Sequence, residues 1–306
     1  MANRAFAFLS DRAFLMTASS PKTYRNPLFK GISWFWALTL VAAPLLYVVT
    51  ISFLSRGQYG GIVPVFGLHN YARIINPEVA PTLLASLGRS LLLATLSTIL
   101  CMLVGFPLSL YLVFKAGRWR NALFFLLIIP FWTNFLIRTY AWVVILSDNG
   151  WLNHLFEAMG FGPQALHWLF TSKAVLIGMF YNYLPYMAMS LYVSIEKLDP
   201  KLLEAAADLG AGPLRRFFKI VLPLSVPGLI AGSIMVFIPS LGEFVIPDIL
   251  GGGTSLFVGN LLAEEFLTVR NWPFGAALSV VLIAIIGICL VAFEKITKGH
   301  SEDLLV

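Results

Sequence analysis

Charged residues are widely spaced along this chain, and the stretches between them are long apolar runs. Lys30 to Arg56 encloses 25 uncharged residues, Arg89 to Lys115 25, and Arg120 to Arg138 17. Lys173 to Glu196 encloses 22, and Lys219 to Glu243 and Arg270 to Glu294 enclose 23 each. Crossing the hydrocarbon core takes about 20 apolar residues as helix, within a range of about 17–25. All six windows reach that length. The third is the shortest, but its apolar stretch resumes after Arg138 and runs to Leu146. A lipid-facing backbone must satisfy its own hydrogen bonds, so the windows predict helices and not the short alternating segments of a barrel. The expected spans are 32–54, 90–114, 121–147, 174–195, 223–242 and 272–293, together a membrane domain over 32–293. Tails over 1–31 and 294–306 flank them. Three shorter gaps, 57–72, 158–172 and 249–263, hold Gly-Gly or Gly-Pro elements and predict loops.

Composition agrees with a chain whose exterior is lipid. Of 306 residues, 58% are hydrophobic and 12% charged. A soluble domain carries about 25% charged residues, so this chain could not cover a water-facing surface. Disorder needs the opposite balance. The fold class is therefore an all-α integral membrane protein with six transmembrane helices. Fifteen of the 21 basic residues fall in the tails or the even-numbered connections. Lys and Arg mark the cytoplasmic side, so both termini are expected there. The net charge of +6 follows from this topology, and no basic–aromatic interleaving suggests nucleic acid. Between Arg4 and Asp11 only six residues remain, too few for the apolar region of a signal peptide. Cys101 and Cys289 fall inside spans and predict packing, not a disulfide framework. The four histidines show no metal-ligand spacing.

The connection over 196–222 is long, charged and on the expected cytoplasmic side. Asp199 stands at an N-cap position with Pro200 as the first helical residue, and Gly210 stands where a helix ends left-handed. Leu202, Leu203, Ala206 and Leu209 make its apolar face. A second segment starts at Pro213, places Leu214, Phe217, Phe218 and Val221 on one stripe, and closes at Pro223. Such a helix pair either packs on the ends of the spans or docks a partner.

Glu204-Ala205-Ala206, Gly210, Ile220 and Leu222-Pro223 stand at the spacing of the "EAA loop", and on these residues the chain resembles the ABC importer permeases. The likeness extends through Pro130-Phe131-Trp132-Thr133-Asn134 with Arg138, and through Ser194-Ile195-Glu196-Lys197-Leu198-Asp199. It continues in Gly242-Glu243-Phe244-Val245-Ile246-Pro247-Asp248-Ile249-Leu250-Gly251-Gly252 and in Arg270-Asn271-Trp272-Pro273. These stretches are similar to the polyamine-uptake branch, the first-permease type of spermidine and putrescine importers, over nearly the whole chain beyond the N-terminal tail. The resemblance implies a type I importer architecture in the bacterial inner membrane. It implies a coupling loop, with Glu204, Ala205, Ala206, Gly210, Ile220, Leu222 and Pro223, that engages a pair of cytoplasmic ATP-binding subunits. It implies a second homologous permease, a periplasmic binding protein and a polyamine cargo. The chain has no phosphate-loop motif of its own, so ATP and Mg belong to the partner and no cofactor is expected here.

Ionisable groups at the ends of spans are the candidates for a cation's path. Glu243 ends the fifth span, and Asp248 follows Pro247 before Gly251-Gly252-Gly253. They either line a cavity, or pair with Arg138 or sit in headgroup water. Trp132 and Tyr140 offer aromatic faces, and Asn134 is an uncharged polar group one turn before Arg138. Pro107, Pro130, Pro185, Pro227 and Pro239 lie in spans, as fixed curvature or as hinges for rocking half-bundles. A secondary transporter would need coupling carboxylates inside its spans, and all six windows lack them. Another small solute, such as sulfate, iron or thiamine, is the alternative cargo. An anion would prefer Arg138 to Glu243.

Overall fold

The computed structural model describes residues 27–58, 60–160, 167–253 and 256–303, with backbone alone at 27–30 and 292–303. Most of the expected N-terminal tail, with Arg4, Arg12, Lys22 and Arg25, lies outside the described residues, as do the side chains of Lys30, Lys295 and Lys298. Helix α1 (Pro27–Ser52) is apolar along its length and carries Pro44 inside it. Up to Thr50 it belongs to a unit of its own. Thr50 returns its hydroxyl to the Leu46 carbonyl at 2.7 Å, which keeps a polar group satisfied within an apolar helix.

The second unit runs from Ile51 onward. A two-residue hairpin, β1 (Ser55–Arg56) with β2 (Ile62–Val63), and the short α2 (His69–Ile75) lead into α3 (Ala80–Phe114). This helix begins ten residues before the expected 90, because Arg89 does not end it. Its guanidinium reaches the Leu256 carbonyl at 3.3 Å. At about 1.5 Å per residue the helix is about 52 Å long, well beyond the ~30 Å hydrocarbon core, so one end stands clear of it.

The third window is not one straight span. It contains α4 (Arg120–Ile128), a 3₁₀ turn (Ile129–Trp132) and α5 (Phe135–Leu146). The segments Gly117–Trp132 and Phe135–Ala158, on either side of the break, meet at 97°. Pro130 removes a backbone donor from the turn, and Thr133 and Asn134 are extended. The break satisfies itself. The Thr133 hydroxyl donates to the Pro130 carbonyl at 2.7 Å, and the Asn134 side chain accepts from the Leu136 N–H at 2.8 Å. Helix α6 (Trp151–Ala158) follows.

Next come α7 (Ser172–Ile195), α8 (Pro200–Asp208), α9 (Pro213–Arg216) and α10 (Leu222–Gly242). A π turn over Phe217–Val221 joins α9 to α10, so helix continues through Pro223 and does not close there. Proline has no N–H and its ring crowds the preceding turn; widening that turn into π geometry lets the helix pass it. Then come α11 (Val245–Gly251), α12 (Val258–Ala263), a π turn (Glu264–Thr268) and α13 (Trp272–Asp303). Parts of the gaps 57–72 and 249–263 are therefore short helices, not plain loop, and the helical backbone runs past the expected end of the last span at 293. Among the described residues, five helices are long and apolar enough to cross a membrane, and a sixth crossing counts the bent pair as one.

The core lies where α3, α7 and α10 pack on one another, along a seam of small residues. A Cβ at Gly228 would stand 2.4 Å from Ser194 Cβ and 2.8 Å from the Ser190 carbonyl oxygen. One at Gly232 would meet the Met187 sulfur at 2.7 Å. Hydroxyls bridge the close helices. Ser190 donates to the Gly228 carbonyl at 2.8 Å, and Ser109 reaches both Gly105 and Ala188 carbonyls at 2.7 and 2.9 Å. Without a hydrophobic drive between helices in lipid, this close approach and these bonds carry the packing. Gly228→Ala is expected to cost about 1–3 kcal/mol by overpacking. A melting midpoint equal to wild type in detergent would contradict it.

At the hairpin end of the molecule Arg73 lies over the Phe274 ring at 4.3 Å and Arg56 donates to the Val269 carbonyl at 2.8 Å. Beside them burial pushes the Glu265 carboxyl above its ordinary value, with Glu264 adding to the rise and Arg73 and Arg56 opposing it. The folded chain then holds this proton at pH values where the unfolded chain has lost it. Stability from this group is present at low pH and declines as pH rises from about 4.5 through the raised value. Glu265→Gln should remove that part of the slope, and identical stability–pH curves for variant and wild type would refute it.

Candidate functional site

The 196–222 segment has the caps its sequence prescribes. The Asp199 carboxylate accepts from the Lys201 N–H at 3.0 Å and opens α8. Gly210 takes φ +79°, and the Ala211 and Gly210 N–H groups return to the Ala206 and Ala207 carbonyls at 2.9 Å each. This is a Schellman ending, and its positive φ favours glycine. The segment is tied to the bundle at its base. Leu203, Phe217 and Leu222 pack on the main core, Phe217 stands edge-on to Phe106 at 5.3 Å, and Arg216 reaches the Leu203 carbonyl at 3.4 Å.

The expected apolar stripes divide. Leu203 and Ala206 are half-buried, while Leu209 is 88% exposed and Leu202 is also exposed. Phe217 and Val221 face inward, while Leu214 and Phe218 are 75% and 61% exposed. The π turn inserts extra backbone and rotates Phe218 off the face that i, i+4 spacing assigned to it. Leu202, Leu209, Leu214 and Phe218 thus stand outward, and Glu204, Ala205 and Gly210 are exposed on the same segment. Ile220, Leu222 and Pro223 are half-buried where the segment enters α10.

The other candidates lie at the far ends of α10 and α5. Glu243 ends α10 and caps α11. One carboxylate oxygen accepts from the N–H groups of Phe244, Val245 and Ile246 at 3.0–3.4 Å, and the other accepts from the Tyr183 hydroxyl at 2.6 Å. Asp248 is exposed in the first turn of α11. Among the described residues no ion pair joins either acid to Arg138. The Arg138 guanidinium lies 5.6 Å from the Phe131 ring centroid instead. Asn134 is occupied as the cap of α5. Trp132 is 77% exposed and edge-on to Phe125 at 6.4 Å, and Tyr140 is 58% exposed.

The structure also brings together residues that the windows did not single out. Phe131 stands edge-on to Tyr186 at 4.8 Å, Tyr186 lies 6.3 Å from Tyr183, and Tyr183 bonds to Glu243. Phe131 and Tyr186 line a groove of about 710 Å³ with Met189, Ser190, Gly228 and Met235. An aromatic run thus connects the groove to a carboxylate. The signal was available in Tyr181-Asn182-Tyr183 and Tyr186, an unusually polar and aromatic stretch within an apolar window.

The broken third span, the glycine-packed core and the exposed capped segment define a membrane permease. Residues 102–297 match the family described as binding-protein-dependent transport system inner membrane component, and the chain belongs to that family. Among curated proteins it is 41% identical to the spermidine/putrescine transport system permease protein PotB of Escherichia coli (strain K12), over 86% of this chain and 94% of that one. The Haemophilus influenzae protein of the same name is 40% identical over 88% and 92% of the two chains. The fold is shared with a chain of a bacterial ABC transporter involved in the import of the acidic polysaccharide alginate. There the TM-score is 0.67 at 16% identity, covering 96% of this chain and 98% of the other. The chain is thus an all-α, multi-pass membrane component of an ABC importer, a transporter part and not an enzyme.

Proposed function

We propose that the chain is the permease subunit of an ATP-driven importer that carries a polyamine of the putrescine/spermidine class across the bacterial inner membrane, with both termini cytoplasmic. The observation that carries this reading is the 41% identity to a spermidine/putrescine permease along 94% of that protein's length. Cytoplasmic ATP-binding subunits dock on the outward surface of 200–218 and bring ATP and Mg; this chain binds no cofactor. A second, homologous permease completes the path, and a periplasmic binding protein delivers cargo at the opposite face. Glu204, Ala205, Ala206 and Gly210 touch the ATPase, and Ile220, Leu222 and Pro223 hold the segment in place. Glu243 and Asp248 attract the cation, and Tyr183, Tyr186, Trp132 and Tyr140 offer aromatic faces. Asn134 serves the path by holding the break open.

The test is uptake of labelled putrescine and spermidine by the reconstituted complex, with sulfate, iron and thiamine as competitors. ATP-dependent uptake of either amine, uncompeted by the other solutes, is expected. Uptake of an anion in place of an amine would overturn the cargo.

A further inference from the structure

We propose that Arg120, Tyr192 and Glu196 form a clasp that passes movement of α8 into the broken third span, which makes Arg120 a positioning residue for transport. The inference rests on the importer reading above, since it needs α8 to be moved by a partner.

Two side chains of one neighbouring segment converge on one guanidinium, Tyr192 through both its hydroxyl and its ring. Arg120 is the first residue of α4. Its Nε donates to the Tyr192 hydroxyl at 2.7 Å, and a terminal nitrogen pairs with the Glu196 carboxylate. Its plane also lies 5.0 Å from the Tyr192 ring centroid. Only a planar fork reaches a phenol and a carboxylate together in this way; a lysine ammonium on a flexible stem does not hold both at fixed angles.

The clasp has firm backing on each side. Tyr192 packs on Phe124 at 4.6 Å between centroids and shares a buried cluster with Leu112 and Ala116. Leu123, Phe124 and Leu127 of α4 pack against that cluster. On the other side there is little slack before α8. The Glu196 N–H bonds to the Tyr192 carbonyl at 2.8 Å, the Leu198 N–H to Ile195 at 3.0 Å, and Asp199 already caps α8. A displacement of α8 therefore reaches Glu196 and Tyr192 with little loss. Through Arg120 it acts on α4 and the 3₁₀ turn that continues it, which together end at the extended Thr133 and Asn134. An element gripped at one end and broken at the other can turn as a body; a continuous helix would resist.

The experiment compares Tyr192→Phe, Arg120→Lys and Glu196→Gln in the reconstituted complex with its second permease, ATP-binding subunits and binding protein. It reads ATP hydrolysis and polyamine uptake together. Tyr192→Phe keeps the ring and its packing, so the fold is retained while one contact is lost. Each variant is expected to hydrolyse ATP near the wild-type rate but to carry about threefold less polyamine per ATP, or lower, within the range by which coupling positions modulate linked sites. The Arg120→Lys, Glu196→Gln double variant should be no worse than the worse single one. An unchanged ratio of uptake to hydrolysis in all three overturns the clasp, including the case where both fall in parallel. Wild-type complex without ATP-driven polyamine uptake overturns the importer reading itself, and the clasp with it.

Discussion

Glu204→Arg is expected to leave the chain in the membrane and to abolish both co-purification of the ATP-binding subunits and uptake. The side chain is exposed, and among the described residues it joins no ion pair. Reversing its charge therefore removes no contact that holds α8, whose cap at Asp199 and Schellman ending at Gly210 are untouched. What changes is the surface offered to a partner. Leu202, Leu209, Leu214 and Phe218 are exposed on the same segment, while Glu204 shares its own helix face with Lys201 and Asp208 at i−3 and i+4. A carboxylate that a partner covers has to find a donor across the interface. Placing like charge against like there costs several kcal/mol, which is about 100-fold or more in association. The measurement is pull-down of the ATP-binding subunits from detergent extract, with membrane content of the chain as control. Wild-type recovery of those subunits on the variant would remove Glu204 from the contact.

The membrane class and the capped segment were legible in the sequence because each rests on local rules. Charge-free windows report the length of a lipid-crossing helix, and Asp199-Pro200 with Gly210 reports caps that local backbone geometry enforces. What the windows could not report is how helix continues or breaks inside them. Arg89 bounds a window yet lies inside α3, because arginine is a good helix former and a charge marks the edge of apolar sequence, not the end of a helix; its side chain reaches the Leu256 carbonyl, far away in sequence. The third window is unbroken by charge yet broken in backbone, because Pro130, Thr133 and Asn134 satisfy a bend among themselves. The same blindness hid the π turn at Phe217–Val221, which takes Phe218 off the inward face and adds it to the exposed residues. The aromatic run from Phe131 to Tyr183 joins two elements distant in sequence, and only their packing shows it.

Glu243 carries the second large expectation, and two substitutions separate its two roles. In one role it is structural: it receives three backbone donors at the start of α11 and the Tyr183 hydroxyl. Glu243→Ala loses the cap, worth about 0.5–2 kcal/mol, and strands the hydroxyl of mostly buried Tyr183, at about 1–3 kcal/mol. That variant should be poorly assembled and inactive for reasons that say nothing about cargo. Glu243→Gln keeps the length and an acceptor oxygen for the α11 donors; its amide NH2 meets the Tyr183 hydroxyl as a donor, so the charge is lost while that pair is kept with its direction reversed. If a cationic cargo passes this carboxylate, the Gln variant assembles normally and loses about 10- to 100-fold of uptake, as expected for a contact to a charged group of about 1.5–3 kcal/mol. An anionic cargo would show no such loss. Assembly at wild-type level with undiminished putrescine and spermidine uptake would leave Glu243 as the cap of α11 alone, and the attraction of the path for cations would have to reside in Asp248 and the aromatic faces.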